Sequence, residues 1–546
     1  APNPQGGGGL VPKPRKLPDP VDLLVIGGGV NGCGIARDAA GRGLSVILAE
    51  KDDLAQHTSS ASTKMLHGGL RYLDYLEFRL VREALAERET LLVAMPHIDW
   101  PMRFVLPLSP RMRFDMDTPV SRLLRLVMPW APGRRPAWLI RLGLLVYDSL
   151  GGRHILPGTC SLDLTRDEAG AVLKPEFRRG YEYSDCMVQD SRLVVLNARD
   201  AEARGTTILT RTRVTSARRI VSGADVLWEV GIEGWRGAET LHARALVNAA
   251  GPWVDQVIHD VTHLQSSAHV RLVRGSHIVT RKLYDHARSY FFQGSDGRVI
   301  FAIPFEDDFT LIGTTDEEHD GSPDEVHCTD DERDYLCAHA SRYFAREVTV
   351  QDIVWTFSGV RPLYDDGARS ATAATREYVL TLDDDGAPVL NVFGGKITTY
   401  RRLAEKSLAR LGRFFPHAGG DWTARVALPG GDFPHDGFAE LTERLTRTYP
   451  FLGAARATRL ARGYGTEAFT MLEGAARLEE LGRDFGAGLT EAEVNWLITR
   501  EYARHADDIL WRRTRLGLHL DDAQRAALAA YMAGQGELQG DGRVAG

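Results

Sequence analysis

One thirty-residue stretch limits the fold of this chain more than any other. Val21 to Ile26 (VDLLVI) is a short apolar, β-branched run of the kind that forms a strand buried on both faces. It leads directly into Gly27-Gly28-Gly29-Val30-Asn31-Gly32, in which Gly27, Gly29 and Gly32 make a G-x-G-x-x-G pattern. A helical segment carrying Ile35, Ala36, Ala39 and Ala40 follows, then a turn at Gly41-Arg42-Gly43 and a second strand from Leu44 to Ala49 that ends at Glu50. Each part has a physical task. Gly27 permits the tight turn, Gly29 lets backbone amides approach a pyrophosphate, and Gly32 lets the helix pack on the strand. The helix N-terminus offers unpaired N–H groups to phosphates, and Glu50 can accept hydrogen bonds from a ribose hydroxyl pair. A glycine pattern alone is weak; with strand, helix and acid in place it predicts a Rossmann-like dinucleotide site.

The segment after the acid narrows the cofactor. Thr58 to Leu73 (TSSASTKMLHGGLRYL) gathers small hydroxylated residues, Lys64, His67 and a glycine pair. Such residues suit a loop wrapping a large polyanionic cofactor, with Thr58, Ser59, Ser62, Lys64 and His67 as candidate contacts, whereas a plain nicotinamide enzyme would continue into helix and strand. Leu246 to Trp253 (LVNAAGPW) reads as an apolar strand ending in small residues, where Gly251 allows close approach to an adenosine. Val392 to Tyr400 (VFGGKITTY) has the form strand, glycine pair, helix start, and places Gly394 and Thr398 where amide donors could face an anion.

Bulk composition excludes several classes. The net charge of −7, from 66 basic and 73 acidic residues, gives no global field for nucleic acid. Five scattered cysteines with no C-x-x-C pair form neither a disulfide framework nor a zinc site, so no metal is expected. No apolar run reaches the roughly 20 residues of a membrane span.

Taken together, Glu50–His97, Arg178–Asp185 (RRGYEYSD), Arg274–Val279 (RGSHIV), Leu311–Asp316 (LIGTTD), Asp352–Leu363 (DIVWTFSGVRPL), Val392–Arg401 and Asp507–Leu516 (DDILWRRTRL) resemble, in collinear order, the FAD-dependent glycerol-3-phosphate dehydrogenases. The similarity is to the bacterial aerobic, quinone-linked enzymes and spans about Val21 to Leu520. It implies FAD as cofactor, glycerol 3-phosphate as substrate, and a membrane quinone as electron acceptor. It also implies an anion-binding set matched one residue at a time: Arg71, Tyr72, Arg361, Arg376, Lys396 and Thr398. A phosphate dianion calls for fixed cations, preferably arginine forks, and Ser358–Pro362 is expected to hold Arg361 in a turn. Arg361 and Lys396 are also catalytic candidates. The base that takes the hydroxyl proton is either His67 or His277, the two histidines inside matched motifs, or a group not identifiable from sequence.

The expected fold is α/β. A discontinuous Rossmann-like FAD-binding domain (about 21–99, 183–253 and 355–415) interleaves with an antiparallel-sheet substrate domain (about 100–182 and 254–354). A flexible leader (1–20) precedes them, and a C-terminal helical cap domain (420–535) follows, ending in a frayed tail (536–546). Leu441–Thr448, Ala457–Tyr464 and Glu491–Trp511 read as its helices. Ser121–Tyr147 combines apolar and aromatic residues with five arginines and no acid. That character suits either an anionic membrane interface or a pair of core helices. Peripheral attachment to the cytoplasmic face of the inner membrane is the expectation, with a homodimer left open. The rival readings are a glycerol-3-phosphate oxidase using O2, an amine or amino-acid oxidase, and a non-catalytic flavin-binding sensor.

Overall fold

The computed structural model describes residues 17–108, 118–127, 136–151, 154–235, 237–294, 298–365 and 377–540. Arg376, Arg134 and Arg135 fall outside the described residues.

The opening strand Val21–Ile26 sits at the centre of an eight-stranded sheet. It pairs in parallel with Val46–Ala49 on one side and Gly237–Asn248 on the other, and Thr207–Leu209 and Val389–Phe393 extend the parallel core. Alternate side chains feed opposite faces. Leu23 and Val25 pack with helices Val30–Gly41, Asp190–Ala203 and Tyr400–Leu411, while Leu24 and Ile26 pack under an antiparallel meander, Thr212–Ser222 and Asp225–Gly234. Burial on both sides accounts for the unbroken apolar run in the sequence.

A ten-stranded, largely antiparallel sheet forms the second layer system. Strand Val270–Arg281 lies inside it, between Phe309–Gly313 and Ile353–Tyr364. Two strands cross the segment boundaries expected from sequence: Arg179–Val188 and Ile353–Tyr364 both belong wholly to this sheet. Arg361 is therefore in a strand rather than in the expected turn. Among the described residues Ile353–Tyr364 pairs on one side only, with Val270–Arg281, and such an edge tolerates the Pro362 that argued for a turn.

The C-terminal region is helical around its own core, which includes Leu445, Leu460, Leu497, Ile509 and Leu528. The expected helix Glu491–Trp511 is interrupted. Its first part ends at Arg500, and a separate π-helical turn covers Asp508–Arg513. Between them Glu501 is anchored by Arg192, Arg513 donates to the Glu501 carbonyl, and Tyr502 takes a left-handed φ of 63°. The last helix, Asp522–Gly540, reaches past the expected start of the tail at 536, carried by its alanine-rich first half.

Candidate active site

Two cavities, of about 180 and 410 Å³, meet along a common wall formed by Val30, Thr58, Ser59, Pro362 and Gly395. The smaller runs from the glycine turn to the end of the parallel strands. Gly27, Gly29, Asn31, Glu50, Gly251, Trp253 and Gly394 line it. Gly27 is at φ +110°, and a Cβ there would lie 2.5 Å from the Ala249 carbonyl oxygen. Gly32 does not reach the cavity; it is the packing glycine, because a Cβ would collide with the Gly27 carbonyl. Glu50 is buried and accepts from the Gly28 and Asp52 amides at 2.6 and 2.8 Å. A carboxylate retains lone pairs beyond two such bonds, so it still has capacity for a ribose hydroxyl. Ser59 Oγ accepts from Val30 N–H at 3.0 Å, and Thr58 Oγ1 donates to the Val360 carbonyl at 2.6 Å.

The larger cavity collects the cations. Arg71 and Tyr72 come from the 3-10 turn Leu70–Tyr75, Arg361 from the edge strand, and Lys396 and Thr398 from the segment after Val389–Phe393. Lys396 Nζ lies 3.7 Å from the centroid of the Tyr72 ring. Arg361 Nη1 donates to Asp316 Oδ1 at 2.6 Å and to the Thr315 carbonyl at 3.2 Å, and Nη2 donates to Thr314 Oγ1 at 3.0 Å. The other oxygen of Asp316 is 4.0 Å from Arg71 Nη1, so one carboxylate spans two guanidinium groups that would otherwise repel. Arg71 Nε and Nη2 are shielded from solvent and have no hydrogen-bond partner among the described residues. Shielded guanidinium donors of this kind fit an incoming anion.

The two histidines take different places. His67 lines the larger cavity, in a turn where Gly68 N–H donates to the Tyr147 hydroxyl at 2.8 Å. That hydroxyl donates to Asp185, which Arg88 holds at 2.6 Å. Burial, with Lys396 and Arg88 nearby, pushes the His67 pKa down to about 3, so its ring is neutral at physiological pH and can accept a proton. His277 lies behind the wall, stacked on Phe357 at 4.7 Å. It reaches the cavity only through Thr63, whose hydroxyl is 2.9 Å from Nε2. Burial and the Arg361 and Lys64 charges hold it neutral as well. Ser62 lines the larger cavity, whereas Lys64 is buried behind it. Sequence reasoning missed Asp316, Thr314 and Thr63. LIGTTD was a visible motif, but only the pairing of three distant strands brings its carboxylate to Arg361.

The family model of FAD-dependent oxidoreductases matches residues 22–401, and that of the C-terminal domain of alpha-glycerophosphate oxidase matches residues 422–538. The aerobic glycerol-3-phosphate dehydrogenase of Escherichia coli is 47% identical over 94% of this chain and 97% of its own. A D-erythritol 1-phosphate dehydrogenase of Brucella abortus is 51% identical over 94% of this chain and 98% of its own. Among solved structures, the FAD complex of a glycerol-3-phosphate dehydrogenase from Bacillus halodurans superposes with a TM-score of 0.71. It is 26% identical and covers 96% of this chain and 94% of that one.

The chain belongs to the FAD-dependent glycerol-3-phosphate dehydrogenase family.

FAD is the cofactor of this family, and the paired cavities suit its two ends. The glycine cradle and Glu50 fit the adenosine and pyrophosphate. Toward the other end, the exposed Gly395, at positive φ, lines both cavities beside Lys396 and Thr398. A Cβ on Gly395 would lie 2.9 Å from Asn31 Nδ2, which itself donates to the Gly394 carbonyl at 3.1 Å.

Proposed function

We propose that this chain oxidises sn-glycerol 3-phosphate to dihydroxyacetone phosphate and passes the electrons to a membrane quinone. The observation that carries this reading is the meeting of Arg71, Arg361 and Lys396, from three separate segments, on one cavity. Three cations against the lining acids Asp316 and Glu77 leave a net positive site matched to a phosphate dianion. Bound FAD supplies the hydride acceptor. Arg71 and Arg361 grip the phosphoryl oxygens, Lys396 adds a point charge, and Thr398 and Tyr72 help orient the substrate. His67, neutral and on the cavity wall, takes the proton of the secondary hydroxyl. Its low basicity comes partly from Lys396, and a bound dianion offsets that charge and raises it. Arg376 is a further candidate on resemblance alone. The test is anaerobic mixing of the FAD-loaded protein with glycerol 3-phosphate. Near-stoichiometric bleaching of the flavin absorbance is expected; a spectrum that stays oxidised would overturn the reading.

A second reading, D-erythritol 1-phosphate as the better substrate, is favoured by the 51% identical relative of that name. The same phosphate grip and base serve a four-carbon polyol. Comparing kcat/KM for the two phosphates decides between them.

Quinone as acceptor and a peripheral place on the membrane rest on one surface. Leu123, Leu126, Trp138, Leu142 and Leu145 are between 47% and 80% exposed on helices Pro119–Val127 and Ala137–Leu150. Both helices pack on the turn Leu70–Tyr75. Beside that turn, Tyr75, Glu77 and Leu80 line the cavity and Leu76 and Phe78 are exposed. An apolar surface at the cavity rim suits a lipid interface and entry of an apolar acceptor from it. Among the described residues no helix is long and apolar enough to cross a membrane. Five free cysteines suit the reducing, cytoplasmic side. Quinone reduction against peroxide yield separates a dehydrogenase from an oxidase.

A further inference from the structure

The arginine-rich run at 507–516 (DDILWRRTRL) takes no part in the site above, yet two of its arginines reach the segment that wraps FAD directly and a third reaches it through a carboxylate. Arg513 is wholly buried and donates through Nη1 and Nη2 to Asp53 at 2.7 and 2.8 Å, and Arg512 Nε reaches the same carboxylate at 2.6 Å. Asp53 lies three residues after Glu50 and directly before Leu54 and Ala55. Those two buttress the glycine turn: Leu54 packs against Gly28, and Ala55 N–H donates to the Gly28 carbonyl at 3.2 Å.

The other end of the segment is held through a second carboxylate. Arg515 Nη2 donates to Asp190 Oδ1 at 2.6 Å, while Asp190 Oδ2 accepts from Ser62 Oγ at 2.7 Å and from Lys64 Nζ at 2.9 Å. Lys64 Nζ also donates to the Ser60 carbonyl at 2.8 Å and sits 4.6 Å from the Phe357 ring centroid. Asp190 and Lys64 are fully buried. Lys64 and Arg515 hold left-handed φ values of 60° and 59°, which side chains other than glycine adopt only when their surroundings impose them.

We propose that the C-terminal helical domain is a two-point clamp on the FAD-binding segment 50–64, in which Arg515, acting through Asp190 on Ser62 and Lys64, positions the flavin end. The charge arrangement supports this role. Asp190 is shared by two buried cations; Arg515 also reaches Glu306 at 3.3 Å, whereas Lys64 has Asp190 as its carboxylate hydrogen-bond partner, so moving Asp190 weakens the compensation of the Lys64 charge. Burial lowers the Lys64 pKa to about 8, with Asp190 opposing the shift and Arg515 adding to it. The ammonium therefore depends on Asp190 to stay charged. Ser62 lines the larger cavity and Ala55 the smaller, so a shift at either carboxylate is felt in the cofactor site.

The test is FAD release from the holoenzyme, followed by recovery of flavin fluorescence on dilution, alongside melting of the apoprotein. No substrate is involved, so the outcome is independent of the proposed reaction. Arg515→Met and Asp190→Asn are expected to speed release by about tenfold or more, the effect of losing a charge-assisted hydrogen bond. Arg515→Lys is expected to restore part of the retention, and the double variant to be no worse than Asp190→Asn alone. Arg459→Met is the control: it breaks a partly buried contact to Glu493 within the C-terminal domain and touches nothing in 50–64. It is expected to lower melting and leave FAD release within about twofold. Release from Arg515→Met within about twofold of the parent, or a control that loses FAD equally, overturns the proposal. If Arg515→Met does not fold, Arg515→Lys and Ser62→Ala decide: parental retention of FAD in both overturns it.

Discussion

Gly275 has no side chain, yet its substitution isolates the grip of Arg361. The two residues are neighbours across the pair formed by Val270–Arg281 and Ile353–Tyr364. A Cβ at position 275 would lie 2.6 Å from the Arg361 Cζ and 2.7 Å from Nη1. Gly275→Ala must therefore push the guanidinium about 1 Å to regain van der Waals contact, which breaks its fixed geometry toward Asp316 and Thr314. Because the displaced atoms are the end of a flexible side chain, the strands stay paired. Losing one charge-assisted contact to the phosphate costs about 2 kcal/mol, or about 30-fold in kcat/KM. The assay is stopped-flow flavin reduction over a range of glycerol 3-phosphate, with melting and FAD retention measured on the same preparation. Melting within about 3 °C of the parent, unchanged FAD binding and the stated loss of kcat/KM are expected. A kcat/KM within about twofold of the parent would refute the reasoning, because the guanidinium could then leave its place without consequence for the substrate.

The remaining expectations address the base, the interior and the surface. His67→Asn keeps FAD bound and slows flavin reduction by about 100-fold, while His277→Asn slows it less; equal rates for His67→Asn and the parent would remove the assignment. His97 is buried against Arg192 and Arg462, and its pKa is driven down to about 3 by burial first and those charges second. Its unfolded value is about 6.5, so between these two pH values the unfolded chain binds a proton that the folded one does not. The contribution of His97 to stability is thus complete above about pH 6.5 and falls by up to about 1.4 kcal/mol per unit as pH drops toward 3. In urea unfolding from neutral to about pH 5, His97→Asn should show a shallower loss of stability than the parent, and identical slopes would contradict this. Trp138→Glu with Leu142→Glu should abolish co-sedimentation with anionic vesicles while leaving turnover with a soluble dye acceptor intact. Undiminished sedimentation would retire the membrane surface.

The parts of this molecule legible in its sequence are those set by local spacing. The strand, glycine turn, helix and acid from Val21 to Glu50 are read directly, because each constraint lies within a few residues of the next. His67, Arg71, Arg361 and Lys396 were legible as motif positions, and the fold brings all four to one cavity. What could not be read depends on long-range pairing. Asp316 becomes part of the grip only when Phe309–Gly313 and Ile353–Tyr364 flank Val270–Arg281. His277 shares a sheet face with the cavity-lining Gly275 but lies two residues further along the strand, opposite Phe357, where its ring stacks and Thr63 stands between it and the cavity. Arg361 was misplaced in a turn because glycine and proline signal turns locally, whereas an edge strand admits both. The clamp at 512–515 was visible as arginines, but its two carboxylates lie more than 300 residues away along the chain.

A crystal structure of the FAD-loaded, reduced protein with glycerol 3-phosphate tests the central claim most directly. The phosphorus is expected within about 4 Å of the Arg71 and Arg361 guanidinium groups and of Lys396 Nζ, with the C2 hydroxyl turned toward His67. A phosphate seated elsewhere, with those three cations still facing solvent or one another, would contradict the account.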